Sequence, residues 1–354
     1  MKKYLAIFTV FMMVLSLCAC GSSAPKEVQE SKGSESSQGE AAPGGDKAPE
    51  GDKPTIVMIP QAIGNEFYVA GQQGAIAAAG ELGIDFIYDG PTSPQVDQQV
   101  EFINTYIAAG VDAICIAPLD SNAIAPILQE ARDAGIKVIT YDIDASSGRD
   151  WYMTPCVATR YGEVIVDYMV EQAGASDIEW IFLVESLGDE FQKAAAERAV
   201  AYAAEKYPDL VFHDIKQLTQ SQDAAYKEVT DLLKVYPNLR GVCSIGTIIF
   251  PGIIEAIKDT NNVDKIANVG MGTPNAIRGY IKDGSLKTSL MWDAVDMGYA
   301  AIYTAYNSVT GTLKEGDTTL DCGKLGTLQI SEGGIIIQGD PLAFEAGNID
   351  NYDF

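Results

Sequence analysis

The chain has 354 residues, with 24 Lys and Arg against 49 Asp and Glu, one His and a formal net charge of −25. Binding to nucleic-acid phosphates draws on Lys and Arg, so that partner is excluded. With His213 as the only imidazole, His-based metal centres and the Ser-His-Asp triad go too. What remains is an acidic protein, 47% hydrophobic, long enough for two ordinary cores.

Residues 1–19 read as an export signal. Lys2 and Lys3 precede the uncharged run from Tyr4 to Ala19, which is shorter than the roughly 20 apolar residues a membrane-spanning helix needs. The stretch Leu17-Cys18-Ala19-Cys20-Gly21 resembles a bacterial lipobox, which implies diacylglyceryl attachment at Cys20; an ordinary cleaved signal is the other reading. Residues 20–53 are rich in Gly, Ser, Pro, Glu and Lys, with Val28 as the lone large aliphatic, and predict a flexible tether. As a random coil it would span about 30 Å.

From residue 54 a regular alternation begins. Strands are predicted at Thr55–Ile59, 85–88, 113–117 and 137–141, separated by helical periodicity over 67–82, 96–109 and 124–134. A second run follows, with strands at 180–184, 210–215, 241–244, 266–269 and 288–291 and helices over 191–206, 224–236, 251–259 and 275–282. One long helix is predicted over 293–313, then short strands within 325–337. The fold class expected is α/β: two doubly wound parallel-sheet lobes, 54–157 plus 294–325 and 158–293 plus 326–354. Cys115 and Cys243 lie in apolar runs and read as buried thiols, whereas Cys156 and Cys322 lie in less regular segments that leave pairing open.

Open α/β sheets bind ligands beyond the carboxyl ends of their strands, which directs attention to the loops there. Neither G-x-G-x-x-G nor a Walker pattern is found, so no nucleotide cofactor is expected, and no other cofactor or metal. Gln61, Asn65 and Phe67 bring amides and an aromatic ring to the start of a helix. Asp142 and Asp144 follow the fourth strand, where each either accepts hydroxyl hydrogens from a polyol or caps its own loop. Asp189 and Glu190 are equally readable as ligand acceptors or as the cap and first turn of a helix. Trp292 beside Asp293 makes either a sugar platform with an acceptor or a core tryptophan at a hinge. Carboxylate pairs across a cleft also occur in glycosidases, which keeps a glycoside-processing enzyme as a further alternative.

Several segments together carry a family resemblance: Tyr-Asp-Gly-Pro-Thr at 88–92, Gln98-Gln99-Val100, Ile103-Asn104, Thr-Tyr-Asp-Ile-Asp at 140–144, Val-Gly-Met-Gly-Thr-Pro-Asn at 269–275, Leu-Met-Trp-Asp at 290–293 and Asn-Tyr-Asp-Phe at 351–354. Residues 54–354 resemble the type I periplasmic-binding-protein superfamily, the substrate-binding proteins of ABC sugar importers, and within it the autoinducer-2-binding and rhamnose-binding branch. The resemblance implies a three-segment hinge near 155–159, 292–293 and 320–327, and closure over a small ligand. It also implies delivery to a permease with its ATPase, a monomeric state, and an extracytoplasmic position on the membrane. Asp142 and Asp189 match aspartates of autoinducer-2 binders. Gln61 stands in place of a Lys, Glu190 in place of a Gln, and Ile245 and Thr247 in place of Pro and Ala, which shifts the expectation toward a neutral sugar or polyol. A sensory role, with the liganded protein docking on a receptor, is the alternative to transport.

Overall fold

The computed structural model describes residues 53–354; the export signal, Cys20 and the tether before Lys53 lie outside the described residues. The first run comprises β1 (Thr55–Ile59), α1 (Glu66–Leu82), β2 (Asp85–Tyr88), α2 (Val96–Ala109), β3 (Ala113–Ile116), α3 (Ala125–Asp133), β4 (Lys137–Tyr141) and β5 (Trp151–Thr154). Along β1, Ile56 and Met58 enter one apolar layer while Val57 and Ile59 enter another; in β3, Ala113 and Cys115 divide from Ile114 and Ile116 in the same way. A strand buried on both faces needs a continuous apolar run, and helices on both sides follow from it.

The second run comprises α4 (Ala158–Ala173), β6 (Glu179–Val184), α5 (Glu190–Lys206), β7 (Val211–Gln217), α6 (Gln222–Val235), β8 (Leu239–Ile245), α7 (Phe250–Asp259), β9 (Ala267–Gly270), α8 (Pro274–Asp283) and β10 (Thr288–Met291). The chain then returns through α9 (Ala294–Val309), β11 (Thr319–Asp321), β12 (Thr327–Ser331) and β13 (Ile335–Ile337), and crosses once more to β14 (Leu342–Phe344). The sheet orders are β11-β12-β13-β5-β4-β3-β1-β2 and β14-β10-β9-β8-β6-β7. Pairing is parallel except at β11 with β12, β12 with β13 and β10 with β14.

The expected lobe boundary is corrected at one place. The sequence reading places residues 326–337 in the second lobe, yet β13 pairs with β5 and β12 with β13 in the first sheet. The reason is period-2 burial: Leu328 and Ile330 of β12 point inward, joining Leu320 and Ile336 on the first lobe's core. The third crossing therefore lies at 338–341 rather than 320–327. The helix expected over 293–313 stops at Val309, because Thr310 and Gly311, the latter at φ +72°, turn the chain.

The three crossings bind one another. Gln338 donates from its backbone N–H to Thr154 O (3.0 Å) and from Nε2 to Asp293 O (3.2 Å), and Gly339 N–H donates to Pro155 O (3.3 Å). Arg160, in the first turn of α4, grips Asp340 on the third crossing through Nε (3.0 Å) and Nη2 (2.9 Å). All four cysteines of the described residues are free and buried, Cys156 and Cys322 included.

Helix α1 meets α9 where neither has side chains to separate them. A β-carbon on Gly74 would overlap the Val295 carbonyl, and one on Gly298 the Gly71 carbonyl. Both helices begin at the interlobe cleft, so this contact seats their first turns as one unit.

Candidate functional site in the interlobe cleft

The carboxyl ends of the strands in both sheets face the cleft, and Asp142 projects from the end of β4 in an unusual conformation. Its φ is +64°, in the left-handed region that costs most non-glycine residues about 1 kcal/mol or more and that Asp and Asn tolerate best. The strain is held by neighbours: Asp142 N–H donates to Met153 O (3.2 Å), Tyr152 Oη donates to Asp142 O (2.8 Å), and Ile143 N–H donates to Tyr141 O (2.7 Å). On the side chain, Tyr68 Oη of α1 donates to Asp142 Oδ2 at 2.9 Å.

Burial raises the Asp142 carboxyl to about 6; the Tyr68 hydrogen bond opposes this, and the negative charge of Asp189 on the other lobe adds to it. Asp189 is the N-cap of α5, accepting from Gln192 N–H at 3.0 Å, while its second oxygen accepts from Gln192 Nε2 at 3.3 Å.

The other expected residues divide clearly. Asp144 is occupied inside its own loop: Oδ1 accepts from Thr140 Oγ1 (2.7 Å), Ala145 N–H (2.8 Å) and Arg149 Nε (2.7 Å), and Oδ2 from Arg149 Nη2 (2.7 Å). Of its two readings, the loop cap is the one realised, and the carboxylate is not free to meet a ligand. Asn65 is an exposed N-cap of α1, accepting from Phe67 N–H at 2.9 Å. Gln61 donates from Nε2 to Pro118 O at 2.9 Å, tying two cleft loops together. Glu190 opens α5 on the exposed surface, and Thr247 sits half-buried in the loop after β8.

Phe67 and Trp292 each pack against the cores of both lobes, and Phe191 of α5 meets Trp292 edge-on at 5.8 Å between ring centroids. Trp292 therefore combines its two readings, a hinge residue with a half-buried ring at the cleft, and its Nε1–H has no hydrogen-bond partner among the described residues. Asp293 caps α9 by accepting from Val295 N–H (2.8 Å) and Asp296 N–H (3.4 Å); burial first, and then Asp296, raises its carboxyl.

Sequence reasoning passed over Glu185, at the end of β6. It is 9% exposed, and its Oε1 accepts from the N–H groups of Ile248 (2.5 Å) and Ile249 (3.1 Å), fixing the loop that leads into α7. Gly246, at φ +145°, lies against this carboxylate, where any β-carbon would collide with it. Burial raises the Glu185 carboxyl against the pull of those two amides, and Asp189 contributes further. Removing the carboxylate in Glu185→Ala orphans two amides, so a stability loss of about 1–3 kcal/mol is expected in urea unfolding. The signal in the sequence was the strand-end position itself, followed by a glycine-containing loop sixty residues on.

The geometry defines two α/β lobes with a carboxylate-bearing, aromatic-walled cleft across a triple crossing, the architecture of a hinged solute-binding protein. The family model described as periplasmic binding protein domain matches residues 56–313, and the chain belongs to that family. Relatives include the ribose import binding protein RbsB of Escherichia coli strain K12, 24% identical over 267 residues, or 73% of this chain and 85% of that protein. The D-ribose/D-allose-binding protein of Pseudomonas aeruginosa is 22% identical over 274 residues, covering 74% and 84%. Among solved structures, a sugar ABC transporter protein from Actinomyces odontolyticus superposes with a TM-score of 0.79 at 28% identity, over 86% of this chain and all of that one. LsrB from Clostridium saccharobutylicum in complex with AI-2 shares the fold at a TM-score of 0.70 and 22% identity, covering 85% and 100%.

Proposed function

We propose that this chain captures a monosaccharide-like polyol between its lobes and presents it, unaltered, to the permease of an ABC importer. The observation that carries the reading is Asp142, a strained, half-buried carboxylate at the carboxyl end of β4, steadied by Tyr68 Oη. A carboxylate accepts from two adjacent hydroxyls at once, and the half-buried rings of Phe67 and Trp292 suit the apolar face of a pyranose or furanose. Relatives whose names denote ribose and allose binding support the class of ligand. The lipobox-like segment around Cys20 and the tether after it support a lipid-anchored, extracytoplasmic position.

Thermal-shift screening of purified protein against pentoses, hexoses, deoxyhexoses and autoinducer-2 tests the reading, since a ligand that binds only the folded form raises its melting temperature. The expected result is a saturable shift by at least one sugar, and loss of that sugar's uptake in cells from which the protein is deleted. A flat screen, or chemical conversion of the recovered sugar, contradicts it.

A further inference from the structure

Helix α8 begins without a side-chain cap: Thr273 is its N-cap residue and makes no side-chain hydrogen bond, which leaves first-turn amides in need of acceptors. The segment after β14 supplies one. Phe354 O accepts from Asn275 N–H at 2.9 Å, Arg278 Nη2 donates to Tyr352 O, and Asp350 pairs with Lys282 at 2.6 Å. Residues 350–354 are thereby fastened along α8, on the second lobe.

That fastening aims one side chain. Phe354 is 2% exposed, and its ring meets those of Phe344 (6.3 Å between centroids), Tyr352 (6.4 Å) and Phe67 (6.3 Å), each edge-on. Phe344 and Tyr352 belong to the second lobe. Phe67 does not: it stands in the first turn of α1, whose Tyr68, Ala75, Ala78 and Ala79 are buried in the first lobe's core. The Phe354–Phe67 pair is therefore a contact between the lobes made outside the three crossings.

The same turn of α1 carries Tyr68. Its ring lies 5.3 Å from that of Phe67, edge-on, and its Oη donates to Asp142 Oδ2. A half-buried ring keeps a choice of side-chain rotamers unless a neighbour closes one of them off. Phe354 is placed to do this for Phe67 from the opposite lobe, and the edge-to-face geometry favours one orientation of the pair.

We infer that Phe354 is a positioning residue for the cleft: anchored on α8, it holds the Phe67 ring in the orientation that meets the apolar face of a sugar. The inference rests on the capture reading above, in which Phe67 offers its ring to the ligand. Phe354 acts through Phe67 and needs no contact with the sugar itself.

Calorimetric titration of wild type, Phe67→Leu, Phe354→Leu and the double variant with D-ribose, D-allose, D-galactose and L-rhamnose tests it. Leu keeps the apolar burial and removes the edge-to-face ring. For the sugar that wild type binds best, Phe354→Leu is expected to weaken binding about threefold to tenfold, but to add less than about twofold in the Phe67→Leu background. Phe182→Leu separates this from a general loss of core packing: Phe182 is fully buried in the same lobe beside Trp180, and its substitution is expected to lower the melting temperature with affinity unchanged. If Phe354→Leu does not fold, Phe354→Met takes its place in the same cycle. Unchanged affinity in the Phe354 variant, or an equal loss with and without the Phe67 ring, overturns the inference and leaves sugar capture standing. Wild-type protein that binds none of the four sugars overturns the inference and counts against the capture reading as well.

Discussion

Asp142→Asn is expected to do two opposite things: weaken binding of the best sugar in the screen by about tenfold to a hundredfold, and stabilise the empty protein at neutral pH. The affinity loss follows because hydrogen bonds to a charged acceptor contribute about 1.5–3 kcal/mol each. The stability gain follows from the sign of the carboxyl's shift. Burial, reinforced by Asp189, raises Asp142 from 3.8 to about 6, so the folded protein holds this proton more tightly than the unfolded chain does. The resulting cost is absent below about pH 4, grows between pH 4 and 6, and is complete above pH 6. At 1.4 kcal/mol per unit the shift corresponds to about 3 kcal/mol, and contact with cleft water reduces this to about 1–2 kcal/mol. Asn removes the charge, still accepts from Tyr68, and tolerates the left-handed backbone. Urea unfolding at pH 4 and pH 7.5 checks it: the variant exceeds wild type only at the higher pH, and an equal difference at both contradicts the assignment. A residue whose removal stabilises the empty protein while weakening binding is what a ligand acceptor, rather than a structural cap, looks like.

The second large effect lies in the α1–α9 contact. Gly74→Ala and Gly298→Ala each place a methyl group against backbone of the facing helix, which has no rotamer to give way. The helices must separate, at a cost of about 2–4 kcal/mol, and the melting temperature is expected to fall by roughly 5–10 °C. Gly80→Ala is the control. It lies in the same helix with nothing near its β-carbon, and gains up to about 1 kcal/mol from better helix propensity. Melting curves in which all three variants behave alike would show that the close approach does not determine stability here.

Where hydrophobic period and turn chemistry agreed, the sequence was readable nearly to the residue. Runs such as Thr55–Ile59 and Lys137–Tyr141 are long enough, apolar enough and flanked clearly enough to allow little else. Helix α4 escaped because it lacks both signals: Val157 gives it no side-chain cap, and Val164, Ile165 and Val166 are β-branched residues of low helix propensity placed mid-helix. Packing decides its state, since Val164, Ile165, Val166 and Met169 are buried on the second lobe's core. Strands β5, β12 and β13 are only four, five and three residues long, so only the sheet that receives them reveals their lobe. At the site, strand-end position singled out Asp142, Asp189 and Trp292. Occupancy was not legible: Arg149 takes Asp144 through the folded shape of their shared loop, and Glu185 holds a loop sixty residues away through a tertiary contact between segments of unrelated sequence.

Titration calorimetry on wild-type protein and Asp142→Asn, with the sugar that gives the largest thermal shift, decides whether Asp142 holds the ligand. One site per chain, recovery of the sugar unchanged, and a loss of about tenfold or more in affinity for the variant are expected. Equal affinity in the two proteins would contradict that role.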